Sequence, residues 1–514
     1  MGILTIAFIV IVLLISVYAY SKWSYSYWKR RGLEYLEPEF FYGNSRDLIQ
    51  RKLGFGDHFA NIYISLKSRG LKCGGIFMFF KPVFMPVDLD LVKTIMQRDF
   101  DHFRNHGIYV NEKVDPLAAH LFNLKDEKWR KLRAKLTPTF TSGKMKMMFH
   151  TLVACTSGLE TILEQHSKIQ DPIDIKDLVS RFTTDVIGSV AFGIDCNSLA
   201  DPDSEFRQFG RKIFQFNLVR RIKSLIAMGI PPEILDMVGF KQMSPDIEEF
   251  FMNVVKDTVR YRESNNIYRK DFMQLMLQLK NRGKVSEEEE ASSLPVGQIE
   301  GQFMTINEVA AQCFVFFIAG FETSATTMTF ALLELALNQE IQDKLRQEIG
   351  IVLEKHGGEL TYDAIMQMSY LDKVVHETLR KHPPVPGMPR VCNKDFKIPG
   401  TEVVIEKGTR IHIPFQAIHR DPDYYPDPEK FDPERFNDEN KAKRHPFAFL
   451  PFGEGPRICI GARFGLLQAK VGLCAILRKF KVTLDVKTKT PIKYSPSSPI
   501  NTVDGGVWIR VSQL

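Results

Sequence analysis

Three features of this 514-residue sequence predict a mainly helical fold with a small β region, built as one large domain on an N-terminal membrane anchor. The first is the apolar run Ile3 to Tyr20. The second is the proline-free stretch Ile306 to Gln339, which as a helix rising 1.5 Å per residue reaches about 50 Å, enough to cross a domain. The third is that strand-like runs are confined to residues 74–87 and to the C-terminal end, while helix-like periodicity dominates between them. The expected division is residues 1–21 as anchor, 22–38 as a basic, aromatic linker, and 39–514 as the folded domain.

The anchor run is broken only by Thr5, Ala7, Ser16 and Ala19, and about 20 such residues span a bilayer. Trp23, Tyr25, Tyr27 and Trp28 follow as interfacial aromatics. No Lys or Arg precedes the run, whereas Lys22, Lys29, Arg30 and Arg31 come after it, which places the remainder in the cytosol. A cleaved secretory signal ending at Val17-Tyr18-Ala19 is the competing reading; the long core and the missing basic leader favour the anchor. The linker carries one proline, Pro38.

Gly74 to Phe80 and Val83 to Val87 read as paired strands bounded by Pro82 and Pro86. His102 to Leu121 lacks periodicity and reads as a loop over a pocket. Lys125 to Leu136 is a basic helix that places Trp129 and Arg133, at i and i+4, on one face. Asp177 to Phe192, Ser204 to Phe216 and Ile247 to Arg262 form successive helices, with Pro231-Pro232 breaking the chain between the last two. The acidic run Ser286 to Glu290, with Ala291-Ser292-Ser293, reads as a solvated linker.

The central stretch is apolar from Val309 to Phe321, too short for a membrane span, and so reads as a buried helix. Midway, Ala319-Gly320-Phe321-Glu322-Thr323 puts a glycine, an acid and an alcohol into apolar surroundings, a local conflict that marks a functional site. Thr323 can alternatively bond back to the carbonyl of residue 319. Glu377 and Arg380 lie three apart on a helix and can pair. Joined by Arg435 of Pro433-Glu434-Arg435-Phe436, they would form a buried network whose disruption costs roughly 3 to 5 kcal/mol. Pro383 to Arg390 is extended by its prolines. Pro414 to Pro433 is an irregular meander, and Phe480 to Val486 and Gly506 to Val511 are strands. Pro451-Phe452-Gly453-Glu454-Gly455-Pro456-Arg457-Ile458-Cys459-Ile460-Gly461 predicts a tight loop with amides turned inward and a helix following. Inward amides and the positive helix end both favour an ionised Cys459.

The pattern Phe452-x-x-Gly455-x-Arg457-x-Cys459-x-Gly461 resembles the haem-binding loop of the cytochrome P450 monooxygenases, and the other motifs occur in that family's order over essentially the whole chain. The likeness is closest to the microsomal animal branch that includes insect enzymes oxidising plant toxins and insecticides. It implies haem b held by Cys459 as axial thiolate, in a loop containing Phe452, Gly455 and Gly461. By the same resemblance, Trp129, Arg133, Arg390 and Arg457 serve the haem propionates, and Gly320 leaves room for dioxygen. Glu322 and Thr323 deliver protons, and Glu377, Arg380 and Arg435 are structural. Phe316, Phe317, Ala319, Val385 and Met388 contact substrate, as do stretches of 106–117 and 498–501. The reaction implied inserts one atom of O2 into a lipophilic molecule, xenobiotic or endogenous, and releases the other as water. Its electrons originate in NADPH. The implied partners are an NADPH-dependent reductase, met by Lys128, Lys131, Lys135 and Lys441, and cytochrome b5. The implied place is the endoplasmic reticulum membrane.

Other classes fall away on composition. Seven scattered cysteines without a C-x-x-C pair argue against a disulfide framework or structural zinc. A net charge of +7, with no basic stripe interleaved with aromatics, does not imply nucleic acid and fits lipid or an acidic partner better. A Gly-x-Gly-x-x-Gly after a strand is absent, so electrons must come from another protein. Two rivals share the cysteine loop: a haem-thiolate isomerase or dehydratase, against which the Glu322-Thr323 pair speaks, and a non-catalytic membrane-bound haem or lipid carrier.

Overall fold

The computed structural model describes residues 2–215, 218–285 and 303–514. The acidic linker expected at 286–293 and the end of the helix expected at 204–216 lie outside the described residues.

The fold is arranged around the central helix Ile306–Leu337, and its start is set by a reciprocal cap. Thr305 Oγ1 accepts from the amide of Glu308 at 3.2 Å, and the Glu308 carboxylate accepts from the amide of Thr305 at 2.7 Å. The helix stops two residues short of the predicted end because Asn338 leaves the helical region at φ −120°, ψ 77°. It is apolar and long enough to span a bilayer, yet most of it is buried among Ile175–Ile187, Pro245–Ser264, Ser369–Lys381 and Ala462–Leu477, so it is a core helix.

The stretch expected as one helix over 177–192 divides into Ile175–Ile187 and a π-turn, Gly188–Phe192, closed by Gly193 at φ +70°. Helices Leu218–Gly229 and Pro232–Met237 flank the Pro231 break. The expected meander contains a short helix, Phe415–His419, and Pro433–Phe436 is a 3-10 turn.

A four-stranded sheet has the order Cys73–Met78, Lys81–Pro86, Arg410–Ile413, Met388–Val391. Its outer pairs are antiparallel and its inner pair is parallel, so the helical part of the chain is the crossover between its two halves. Pro82 and Pro86 do not bound the first hairpin as expected; they lie inside it, opposite Phe77 and Cys73. Phe79 and Phe80 make the turn, with Phe79 at φ +53°. A smaller antiparallel sheet joins Ile173–Asp174, Trp508–Gln513 and Phe480–Leu484. Its last strand starts after Gly505 and Gly506, whose positive φ angles form a turn.

The anchor helix Gly2–Tyr25 is apolar, with none of its hydrophobic window buried. Residues 22–38, expected as a basic, aromatic linker, dock on the sheet. Trp28 is fully buried, its indole donates to the Ile76 carbonyl at 3.1 Å, and Gly75 is bare beneath it because a Cβ there would meet the ring at 2.4 Å.

One hydrophobic core lies among the helices and a second under the four-stranded sheet. A cavity opens where they meet, lined by Ile187 and Leu379 from the first and Met388 and Phe415 from the second.

Candidate functional site

The cysteine loop forms one wall of this cavity. Gly453 and Gly455 take φ +69° and +76°, and the Cys459 amide donates to the Phe452 carbonyl at 2.9 Å, closing the turn. Phe452, Gly453, Cys459 and Gly461 line the cavity. Gly455, expected beside the cofactor, does not; a Cβ there would sit 2.0 Å from the Met96 carbonyl oxygen, so its bareness serves backbone packing. The helix Ala462–Leu477 starts three residues after the sulfur.

Cys459 lies deep in the protein, but its residue is accessible because it opens onto the cavity. Burial raises its thiol pKa above the ordinary value, against the lowering effects of the Gly461 amide and Arg133. The expected preference for the thiolate is therefore reversed in the chain alone. A cation bound at the sulfur would favour the anion.

Cations gather at one end of the cavity. Arg133 donates to the Ile458 carbonyl at 2.8 Å. Arg457 donates to four backbone carbonyls, those of Arg104, Leu121, Phe122 and Leu124, and its guanidinium lies 4.2 Å from the Trp129 ring centroid. Arg390 does not itself line the cavity; it is fully buried behind it, near enough to His106 and Arg457 to affect their ionisation, and among the described residues it donates to the Pro389 carbonyl and leaves its Nε without a partner. No carboxylate pairs with any of the three among the described residues. Burial, then repulsion from Arg390, drops Arg457 to about 9, and burial drops Arg390 to about 10. His106, stacked on Phe122 and bonded to its carbonyl, is held well below its usual pKa by burial and then by Arg390 and Arg457. A thiol in an apolar cavity, with unneutralised arginines at its end, fits an iron-bearing, dianionic flat ligand such as haem.

The central helix supplies the opposing residues Phe316, Ala319, Gly320, Thr323, Ser324 and Thr327. A Cβ on Gly320 would meet Ile187 Cδ1 at 2.6 Å, so this glycine also sets how closely two helices approach. The Thr323 hydroxyl donates to the Ala319 carbonyl, the alternative the sequence left open. Glu322, expected to act beside Thr323, is absent from the cavity wall. Residues one apart on a helix point about 100° apart, and Glu322 is ion-paired with Lys176 of the neighbouring helix at 2.7 Å.

Phe317 is likewise turned away from its expected substrate contact, into an aromatic cluster with Phe192, Phe206, Phe251 and Phe321. Phe316, Ala319, Val385 and Met388 line the cavity as expected. Of residues 106–117 only His106 does so, and none of 498–501 does. Asn501 is instead buried against the Pro383 carbonyl and Gln416. Phe140, Met148, Ile187, Phe272 and Phe464 also line it. Sequence reasoning missed them because each looks like an ordinary core residue.

The structural triad forms behind the site. Arg380 holds Glu377 through two bonds of 2.7 and 2.8 Å, both residues are fully buried, and Arg435 stands 3.5 Å from the same carboxylate. Arg380 also binds the His419 and Pro428 carbonyls, tying its helix to the meander.

The family model for cytochrome P450 matches residues 40–504. The chain is 44% identical over 495 residues to probable cytochrome P450 6a14 of Drosophila melanogaster, covering 95% of each chain. It is 43% identical to cytochrome P450 6a2 of the same fly, covering 99% of this chain and all of the relative. To cytochrome P450 6A1 of Musca domestica it is 42% identical, covering 95% of this chain and 94% of that one. The buried thiol, the three arginines without counter-charges and the end-to-end likeness agree: this chain belongs to the cytochrome P450 family.

Proposed function

We propose that this protein clears lipophilic foreign compounds, plant toxins and insecticides among them, from the cytosolic face of the endoplasmic reticulum. Family membership makes it a haem-thiolate monooxygenase fed by a reductase. When bound, haem supplies dioxygen activation, so that one oxygen atom enters the substrate and the other leaves as water, with electrons drawn from NADPH. The observation that carries the reading is one apolar cavity containing Cys459, Thr323 and the arginine end.

In this reading Cys459 ligates the iron, with Phe452 and Gly461 beside it. Arg133, Arg390, Arg457 and Trp129 take the propionates, giving the unpaired Arg390 Nε its acceptor. Phe316, Ala319, Val385 and Met388 hold substrate by apolar contact and exclude water. Thr323 passes a proton into the cavity. Glu322 supplies it from the far side of the helix, where Lys176 is partly exposed and also donates to Thr326 Oγ1 at 2.9 Å. Lys131, Lys135 and Lys441 offer positive charge to the reductase, and to cytochrome b5 as a further donor. Lys128 is engaged by Glu112. The anchor helix followed by basic residues supports the cytosolic orientation.

The test is an optical spectrum of the reduced holoenzyme with carbon monoxide, followed by product analysis on a panel of lipophilic compounds. A thiolate-type spectrum and products requiring both NADPH and reductase are expected. Cys459→Ala should abolish both. Turnover without NADPH would overturn the reading in favour of an isomerase, and product formation by the Cys459→Ala holoprotein would remove the cysteine from it.

A further inference from the structure

The stretch of chain from Pro383 to Met388 cannot hold itself in place. Among residues 383–387 only Val385 and Gly387 have an N–H, because Pro383, Pro384 and Pro386 lack one, and strand pairing begins at Met388, opposite Ile413. The carbonyls of the stretch are held instead by donors from two distant residues. Asn501 donates its side-chain amide to the Pro383 carbonyl at 2.9 Å and its backbone amide to the Pro384 carbonyl at 3.0 Å. The Gln416 backbone amide donates to the Pro386 carbonyl at 2.9 Å. The two side chains are joined: Asn501 Nδ2 donates to Gln416 Oε1 at 2.7 Å, and Gln416 Nε2 donates in turn to Asp57 Oδ1 at 2.8 Å.

Asn501 and Gln416 are buried, at 3 and 1% exposure, and neither lines the catalytic cavity. What they hold does line it. Pro384, Val385 and Met388 face the cavity from the clamped stretch, and Phe415, the neighbour of Gln416 at the start of the helix Phe415–His419, faces it as well. Gly56 is bare where this clamp passes, since a Cβ there would meet both Gln416 Oε1 and Pro386 Cβ, so Gln416 is confined from behind. A buried network bonded in this way favours one arrangement, because a shift of any member strands a polar group without a partner.

We propose that Asn501 and Gln416 are positioning residues for substrate: by fixing the carbonyls of residues 383–386 they set where Val385, Met388 and Phe415 stand, and so which bulky ligands the cavity accepts. This role rests on the reading of Val385 and Met388 as substrate contacts, and it places part of the selectivity in a layer that no ligand touches.

The experiment uses the full-length holoenzyme and two ligands of haem iron, imidazole and clotrimazole, titrated optically. Imidazole is too small to press on the wall, whereas the trityl group of clotrimazole needs the apolar space beside it. Asn501→Leu keeps the side-chain volume and removes the side-chain donor. It should raise the half-saturating concentration of clotrimazole at least about threefold, well inside the ~100-fold that a 1 Å misplacement can cost, and leave that of imidazole and the retained haem unchanged. Val385→Ala, a change in the wall itself, should also weaken clotrimazole. A response to Val385→Ala without one to Asn501→Leu would overturn the role of the clamp alone, and no response to either would overturn the reading of the wall and the clamp with it. Parallel weakening of both ligands by Asn501→Leu would overturn the role by showing a general contribution to the fold. If Asn501→Leu fails to retain haem, Gln416→Met, which removes the side-chain bonds to Asn501 and Asp57, replaces it, with the same shift expected and an unchanged clotrimazole-to-imidazole ratio overturning the proposal.

Discussion

At the scale of single residues, burial decides the ionisation of most groups around the site. His412 and His419 are buried, and burial drives both from the ordinary 6.5 to about 3. His412 is stacked on Phe59 at 3.7 Å with its Nε2 unpartnered, while His419 Nε2 accepts from the Leu450 amide at 2.7 Å. Both are therefore neutral in the fold, whereas in the unfolded chain they take up protons below about 6.5. Stability is full above that pH and declines as pH falls toward 3, by about 1.4 kcal/mol per unit for each histidine. Denaturant titrations at pH 7.5, 6.5 and 5.5 should show the decline, and His412→Phe should remove one of its two contributions, leaving that of His419. Arg390 gives a prediction with two signs. Replacing this unpaired buried charge by methionine should stabilise the haem-free chain, because the charge costs several kcal/mol without a partner. If Arg390 takes a haem propionate as proposed, the same change should weaken haem binding at least about tenfold, through loss of one charge-assisted bond. Calorimetry of the haem-free protein and a haem titration read the two effects separately; a parallel loss in both would show that Arg390 is satisfied without haem.

At the scale of elements, the Glu377–Arg380 pair joins the helix Ser369–Lys381 to the meander that runs up to the cysteine loop. Glu377 also accepts the amide of Asp432 at 2.9 Å, so one carboxylate holds a helix, a turn and a second arginine. Glu377→Gln should cost roughly 3 to 5 kcal/mol by leaving Arg380 buried without a counter-charge. It should be read as a lowered unfolding midpoint and loss of retained haem, with no residual pool of folded, fully active enzyme. Replacing Glu377 and Arg380 together by Leu and Met should recover part of the stability, since neither charge is then left alone.

At the scale of the whole molecule, the N-terminal apolar helix and the folded domain meet through the segment expected as a basic, aromatic linker. Removing residues 2–20 should free the protein from membranes and leave its unfolding midpoint within a degree or two, because the helical part removed buries none of its apolar window. Extending the deletion through residue 32 removes Trp28, and with it a fully buried indole and its bond to Ile76. That truncation should lose about 3 to 5 kcal/mol, as large aromatic deletions do. Equal midpoints for the two truncations would show that the segment contributes nothing to the fold.

The features legible from the residues alone are the short-range ones. A glycine-framed cysteine within eleven residues, an apolar run at the N-terminus and a Glu–Arg pair on one turn all write their geometry within a few positions. The backbone leaves them few alternatives, so spacing is enough to read them. Long-range packing decided the rest. Neighbours in sequence, Phe316 and Phe317, face a cavity and an aromatic cluster respectively, and Thr323 and Glu322 part company because Lys176, far away in the chain, offers the acid a counter-charge. The partner a side chain finds depends on which helix lies across from it, and a single residue step, about 100° around the helix, separates a cavity-facing residue from a core residue without any change in composition. That Arg390 meets no counter-charge among the described residues could be seen only after folding had brought the other charges to their places.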